Sequence, residues 1–198
     1  TIANLDGYYY KPRIDHELLE KFGDGLIILS GCIGGEIGDA LRQGQYDQAK
    51  SIAKWYKNVF GDRYYLEVQD HGHKDHPSVW KEQVAVTEAT LKLAKELKIP
   101  AVLTCDAHYL RQQDKEAHEI LLCVQTVSFL VDDKRMSLSA FDLFVTNPKD
   151  IITRWGTTHP ELITNTTKIA KRCSIELDLG KILIPKFSVP KGETEKSY

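Results

Sequence analysis

The chain has 198 residues, of which 42% are apolar and 27% charged; this is an ordinary globular balance in a chain long enough to bury a core. Its 26 Lys and Arg against 28 Asp and Glu leave a formal charge of −2. That excludes a basic nucleic-acid sleeve and restricts any DNA contact to a local patch. There is no long uncharged apolar run, so no segment reads as a spanning helix and no membrane partner is expected.

The chain opens on Thr1 without a charged-then-apolar leader, and its one methionine is Met136. It reads as starting inside a larger sequence. The four cysteines, Cys32, Cys105, Cys123 and Cys173, show no CxxC pairing. That suits reduced thiols and a cytoplasmic location, with two disulfides as the alternative.

In chain order, Gly25–Ser30 is a continuous apolar run of the kind a buried strand shows. Ala49, Ile52, Ala53, Tyr56, Val59 and Phe60 repeat at helical spacing and predict a helix over 46–60. The aromatic and β-branched stretch Tyr64–Gln69 predicts a second strand. Val79, Val86, Ala89, Leu93 and Leu97 predict a helix over 77–98, and Pro100–Asp106 a third strand. Connections of this length call for parallel strands with right-handed crossovers, hence an α/β architecture of the barrel or doubly wound type. Beyond Asp106 the pattern predicts a helix over 113–125, a polar loop over 126–139 and a short extended piece over 141–145. A proline-started helix to Trp155 and an amphipathic helix over 159–173 follow. The proline-punctuated tail 182–190 reads as a strap toward a further domain, and 192–198 as a frayed end.

Functional groups in parallel α/β folds collect beyond the carboxyl ends of the strands. Those ends are Ser30-Gly31-Cys32, Gln69-Asp70-His71 and Asp106-Ala107-His108. Asp106 and His108 stand two apart, so extended chain turns both to one side, where a carboxylate and an imidazole could share a divalent ion. The bland alternative is an ordinary loop. Cys32 lies in a glycine-rich turn, as a ligand thiolate or as a small hydrophobe. Among His71, His73 and His76, His71 is the one next to a strand end; the other two read as solvated. Glu67, flanked by Leu66 and Val68, would need a partner if turned inward and could orient a ligand. His118 reads as a packed helix residue. No P-loop, GxGxxG or GxSxG is present.

Six ordered blocks then carry a resemblance: Tyr9–Asp15 (YYKPRID), Leu29–Glu36 (LSGCIGGE), Tyr65–Gly72 (YLEVQDHG), Asp106–Leu110 (DAHYL), His118–Thr126 (HEILLCVQT) and Ile184–Phe187 (IPKF). Together they resemble the polymerase-and-histidinol-phosphatase (PHP) domain near the N-terminus of bacterial replicative DNA polymerase III alpha subunits. The resemblance implies a partial distorted (βα)7 barrel with parallel strands, lacking its N-terminal strands, plus a helical C-terminal extension toward the palm. On that reading residues 1–126 belong to the barrel, 127–180 complete the domain, and 181–198 form the strap. It implies a divalent metal (zinc, manganese or magnesium) held by Cys32, Asp106 and His108, with Glu67 and His71 at matching rim positions. The family's opening His-x-His motif and further ligands would lie before Thr1, so a chain of this extent could bind none.

The resemblance also implies partners: DNA and dNTPs through the polymerase, a proofreading exonuclease subunit and the sliding clamp. It implies metal-dependent phosphoesterase or 3′–5′ exonuclease activity, or a docking role. An open sheet edge left by missing strands would invite dimerisation. Two alternatives stand beside this reading: a free-standing metal phosphatase of the same superfamily, and a catalytically inert interaction module.

Overall fold

Tyr64–Gln69 (β2) is the centre of a three-stranded parallel sheet ordered β1-β2-β3. The structure, a computed structural model, describes residues 2–72, 74–180, 188–194 and 196. On one side β2 pairs with Ile28–Leu29 (β1), in register Ile28 to Tyr64 and Leu29 to Tyr65. On the other it pairs with Ala101–Thr104 (β3), from Leu66 opposite Ala101 to Gln69 opposite Thr104. Around the sheet lie helices α1 (Ile2–Leu5), α2 (His16–Phe22), α3 (Glu36–Arg42), α4 (Tyr46–Phe60) and α5 (Lys81–Leu97). They are followed by α6 (Lys115–Thr126), α7 (Pro148–Trp155) and α8 (Pro160–Arg172). This is the α/β architecture that the sequence predicts, consistent with a partial barrel. No helix among the described residues is long and apolar enough to cross a membrane.

Alternation along β2 divides its side chains between two faces. Tyr64, Leu66 and Val68 join a core with Ala49 and Ala53 of α4, Leu93 of α5 and Leu162 of α8. Leu66, Leu93 and Leu162 are fully buried, each contributing about 2–3 kcal/mol by removal from water. Tyr65, Glu67, Gln69 and His71 follow the opposite alternation and lead to the strand end.

Several boundaries differ from the sequence reading. The first strand is two residues long, not six. Gly25 has φ +72, the Leu26 amide turns back to the Gly23 carbonyl at 3.2 Å, and Arg63 Nη1 donates to both Gly23 O and Leu26 O. The front of the apolar run is therefore a pinned turn, and Gly31 at φ +76 ends the strand. Pro77–Val79 is a turn, so α5 starts at Lys81. The piece over 141–145 makes one isolated parallel bridge, Tyr109 to Phe144. The short helices α2 and α3 were not anticipated. Asp15 caps α2 by accepting from the Leu18 amide at 2.9 Å. The loop after α6 is less polar than expected, exposing Val127, Phe129, Leu130 and Val131.

The outer edge of β3 is covered. Its outward carbonyls, Ala101 O and Leu103 O, accept from Asn165 Nδ2 at 2.7 Å and Thr166 Oγ1 at 3.2 Å, both on α8. Both β1 and β3 are edge strands among the described residues; α8 covers the outer edge of β3, and no strand pairs with the outer side of β1. Most of the proposed strap, and the block Ile184–Phe187, lie outside the described residues, as does His73.

Candidate functional site

The ends of β2 and β3 lie side by side, because Gln69 pairs with Thr104 and the Asp70 amide donates to Thr104 O at 2.9 Å. Two residues past each end the chain supplies His71 and Asp106. Asp106 has φ +45, a strained backbone for a non-glycine residue. That turn places its carboxylate between two imidazoles. Oδ2 stands 3.3 Å from His71 Nε2 and Oδ1 stands 3.4 Å from His108 Nε2. The D-x-H pair and the β2 strand end therefore meet at one carboxylate.

His71 is the buried member of the trio, 5% exposed. Although its Nε2 is close to Asp106, neither ring nitrogen has an aligned hydrogen-bond partner. Trp80 and Phe141 cover the ring, with centroids 6.0 and 5.5 Å away. Burial pushes the imidazole pKa down, and the neighbouring Asp106 carboxylate offsets this only in part. The ring is therefore neutral near pH 7, with a lone pair on one nitrogen. A buried imidazole with orphaned nitrogens beside a carboxylate fits a cation ligand by donor type and by protonation state.

The remaining predicted residues sit elsewhere on the rim. Cys32, exposed, lines a crevice of about 10 Å³ with Ser30, Glu67, Gln69, Gln83 and Thr87. That volume is room for about one water. Glu67 has found partners: it accepts from Thr104 Oγ1 at 2.7 Å and Gln69 Nε2 at 3.1 Å. Among the described residues no group of three or more His, Cys, Asp or Glu side chains is arranged to hold a metal ion.

His118, set aside as a packed helix residue, stacks edge-on to His108 with centroids 5.4 Å apart. Its sequence signal is its place at the head of the block His118–Thr126. Trp80 and Phe141, which wall in His71, carry no motif. A separate apolar cleft of about 400 Å³ between α1 and α2 is lined by Ile2, Ile14, Leu18 and Phe22 and holds no ligating side chain.

Residues 1–71 match the PHP domain family, a stretch that contains Cys32 and ends on His71. Nearly the whole chain is similar to proteins named DNA polymerase III subunit alpha. The one from Deinococcus radiodurans is 38% identical over 197 residues, covering 96% of this chain and 14% of that protein. Those from Thermus aquaticus and Treponema pallidum are 35% and 36% identical, each covering 99% of this chain and 16% of the relative. The chain thus spans 14 to 16% of the length of these curated relatives.

Proposed function

We propose, from the similarity of nearly the whole chain to DNA polymerase III alpha subunits and the PHP-domain match over residues 1–71, that it belongs to that family and serves DNA-directed DNA synthesis in chromosomal replication. In that role residues 1–126 contribute to the barrel, 127–180 complete the domain, and 181–198 lead toward the palm. DNA and dNTPs are then substrates of the polymerase as a whole, in the bacterial cytoplasm. A proofreading exonuclease subunit and the sliding clamp are its replicase partners.

Within the domain, His71, Asp106 and His108 would contribute ligands to a divalent cation, with the rest of its shell supplied from outside this trio. The observation that carries this is the carboxylate set 3.3 and 3.4 Å from two imidazoles, one of them buried without hydrogen bonds. His71 is neutral and offers a lone pair. Asp106 offers negative charge, and His108, at the more open side, leaves room for a phosphoester to approach. Trp80 and Phe141 exclude water from the His71 face. When bound, the ion supplies Lewis acidity and lowers the pKa of a coordinated water.

Calorimetric titration of the chain with Mn²⁺ or Zn²⁺ tests the reading. Asp106→Asn should lose at least tenfold in affinity, together with any metal-dependent cleavage of single-stranded DNA 3′ ends, while melting within a few degrees of wild type. Equal uptake by both proteins would remove Asp106 from the site. A docking role without hydrolysis is the second reading. It is favoured by the incomplete shell and by the apolar strip of Leu121, Val124, Val127 and Phe129 on α6 and its exit, each at least 65% exposed.

A further inference from the structure

Asp70 is the most deeply buried charge at the strand ends, with its side chain fully inaccessible. Its oxygens reach one helix tip and one loop. Oδ2 accepts from Trp155 Nε1 at 2.8 Å; Oδ1 accepts from the Gly72 amide at 2.9 Å and from Arg154 Nη1 at 3.3 Å. Trp155 is itself 1% exposed, so its indole N–H and the carboxylate satisfy each other where water cannot.

The same helix tip holds the loop further along. Arg154 also reaches Asp75 Oδ2 at 3.4 Å, while Lys74 Nζ donates to Arg154 O at 3.3 Å and lies 4.3 Å over the Trp155 ring. Between these anchors is His71. Its ring has no hydrogen bond of its own, so its position is set by its chain neighbours and by aromatic walls. Gly72 shows how closely the loop is held: at φ +79, a Cβ there would come 2.5 Å from Asp142 Oδ2. The His71 carbonyl accepts from the Asp142 amide at 3.3 Å.

We infer that Asp70 is a positioning residue, which ties the Arg154–Trp155 tip of α7 to the loop after β2 and thereby fixes the His71 imidazole against Asp106. The inference rests on the reading of His71 as a cation ligand, since it is that ligand's aim which the strut controls. Partners of ligating histidines that act in this way change metal affinity by about 10–100-fold when removed. Here the strut works through the backbone on either side of the ring.

The test uses the full chain with Asp70→Asn and Trp155→Phe. Asp70→Asn keeps the shape but presents an NH₂ where a donor must be accepted; Trp155→Phe keeps most of the ring and removes only the indole donor. Asp75→Asn, at the exposed arm of Arg154, is the control. Two readouts are taken: Mn²⁺ affinity, and the ¹⁵N and ¹H shifts of the His71 ring in metal-free protein. Both strut variants should displace the His71 ring signals and weaken Mn²⁺ binding about tenfold, whereas Asp75→Asn should do neither. If wild type binds no Mn²⁺, the cation reading fails, and the ring signals alone decide the strut. If Asp70→Asn does not fold, Trp155→Phe decides. His71 ring signals unmoved in a folded strut variant would overturn the inference.

Discussion

Glu119 shows how one side chain decides the shape of a loop. It is 6% exposed and accepts from Arg135 Nη1 at 2.7 Å, Ser137 Oγ at 2.7 Å and the Leu138 amide at 2.8 Å. Burial alone would raise its pKa. The donors of Ser137, Arg135 and Leu138 outweigh this and hold the carboxyl below its usual range. A depressed folded-state pKa gives stability that is present above the unfolded value of about 4.3 and is lost as pH falls through the lower folded value. Glu119→Gln should therefore cost about 2 kcal/mol at pH 7 and flatten the loss of stability below about pH 4.5. Urea unfolding at pH 7 and in acid checks both; an unchanged acid limb in the variant contradicts the assignment. Nothing in the sequence singled out Glu119, because its partners lie 16 to 19 residues ahead in a segment without periodicity. Asp106 and His108 were legible for the opposite reason: two-residue spacing after an apolar run is a local pattern. Cys32 follows the same rule, and past the Gly31 turn it lines a crevice with Glu67 and Gln69.

At the scale of elements, period and length were readable where packing is one-sided. The helix over 46–60 came out at those bounds because α4 buries a single stripe. The strand after Gly25 did not, since an apolar run says nothing of the Arg63 side chain that ties its front into a turn. Helix α3 was missed for a packing reason. Gly38 sits in its middle, where a Cβ would meet Cys32 O at 2.5 Å and Ile33 Cα at 2.7 Å, so a poor helix former is required by close backbone approach. Helix α8 acts as the last rung of the sheet through Asn165 and Thr166. Asn165→Leu leaves the buried Ala101 carbonyl without a partner and should cost about 1–3 kcal/mol. It should also uncover a strand edge, so sedimentation of the variant should show self-association that wild type lacks at β3. A stable, monomeric Asn165→Leu protein would mean that α8 does not guard that edge.

Across the whole molecule, the trio is built by two strand ends and supported from far along the chain. Residues 71, 106 and 108 come from the sheet, whereas Phe141, Arg154 and Trp155 reach it from beyond α6. The strand ends could be located from the sequence; the support could not, because contacts 84 and 85 residues apart leave no spacing signature. The similarity to the Deinococcus radiodurans protein covers 96% of this chain, so it takes in the supporting residues as well as the trio. The proposed site has His71, Asp106 and His108 sharing one divalent ion. The most direct measurement is anomalous scattering from crystals of the chain soaked in Mn²⁺. One strong peak bounded by His71 Nε2, the Asp106 carboxylate and His108 Nε2 is expected. A peak at Cys32 alone, or none in the presence of excess Mn²⁺, would contradict it.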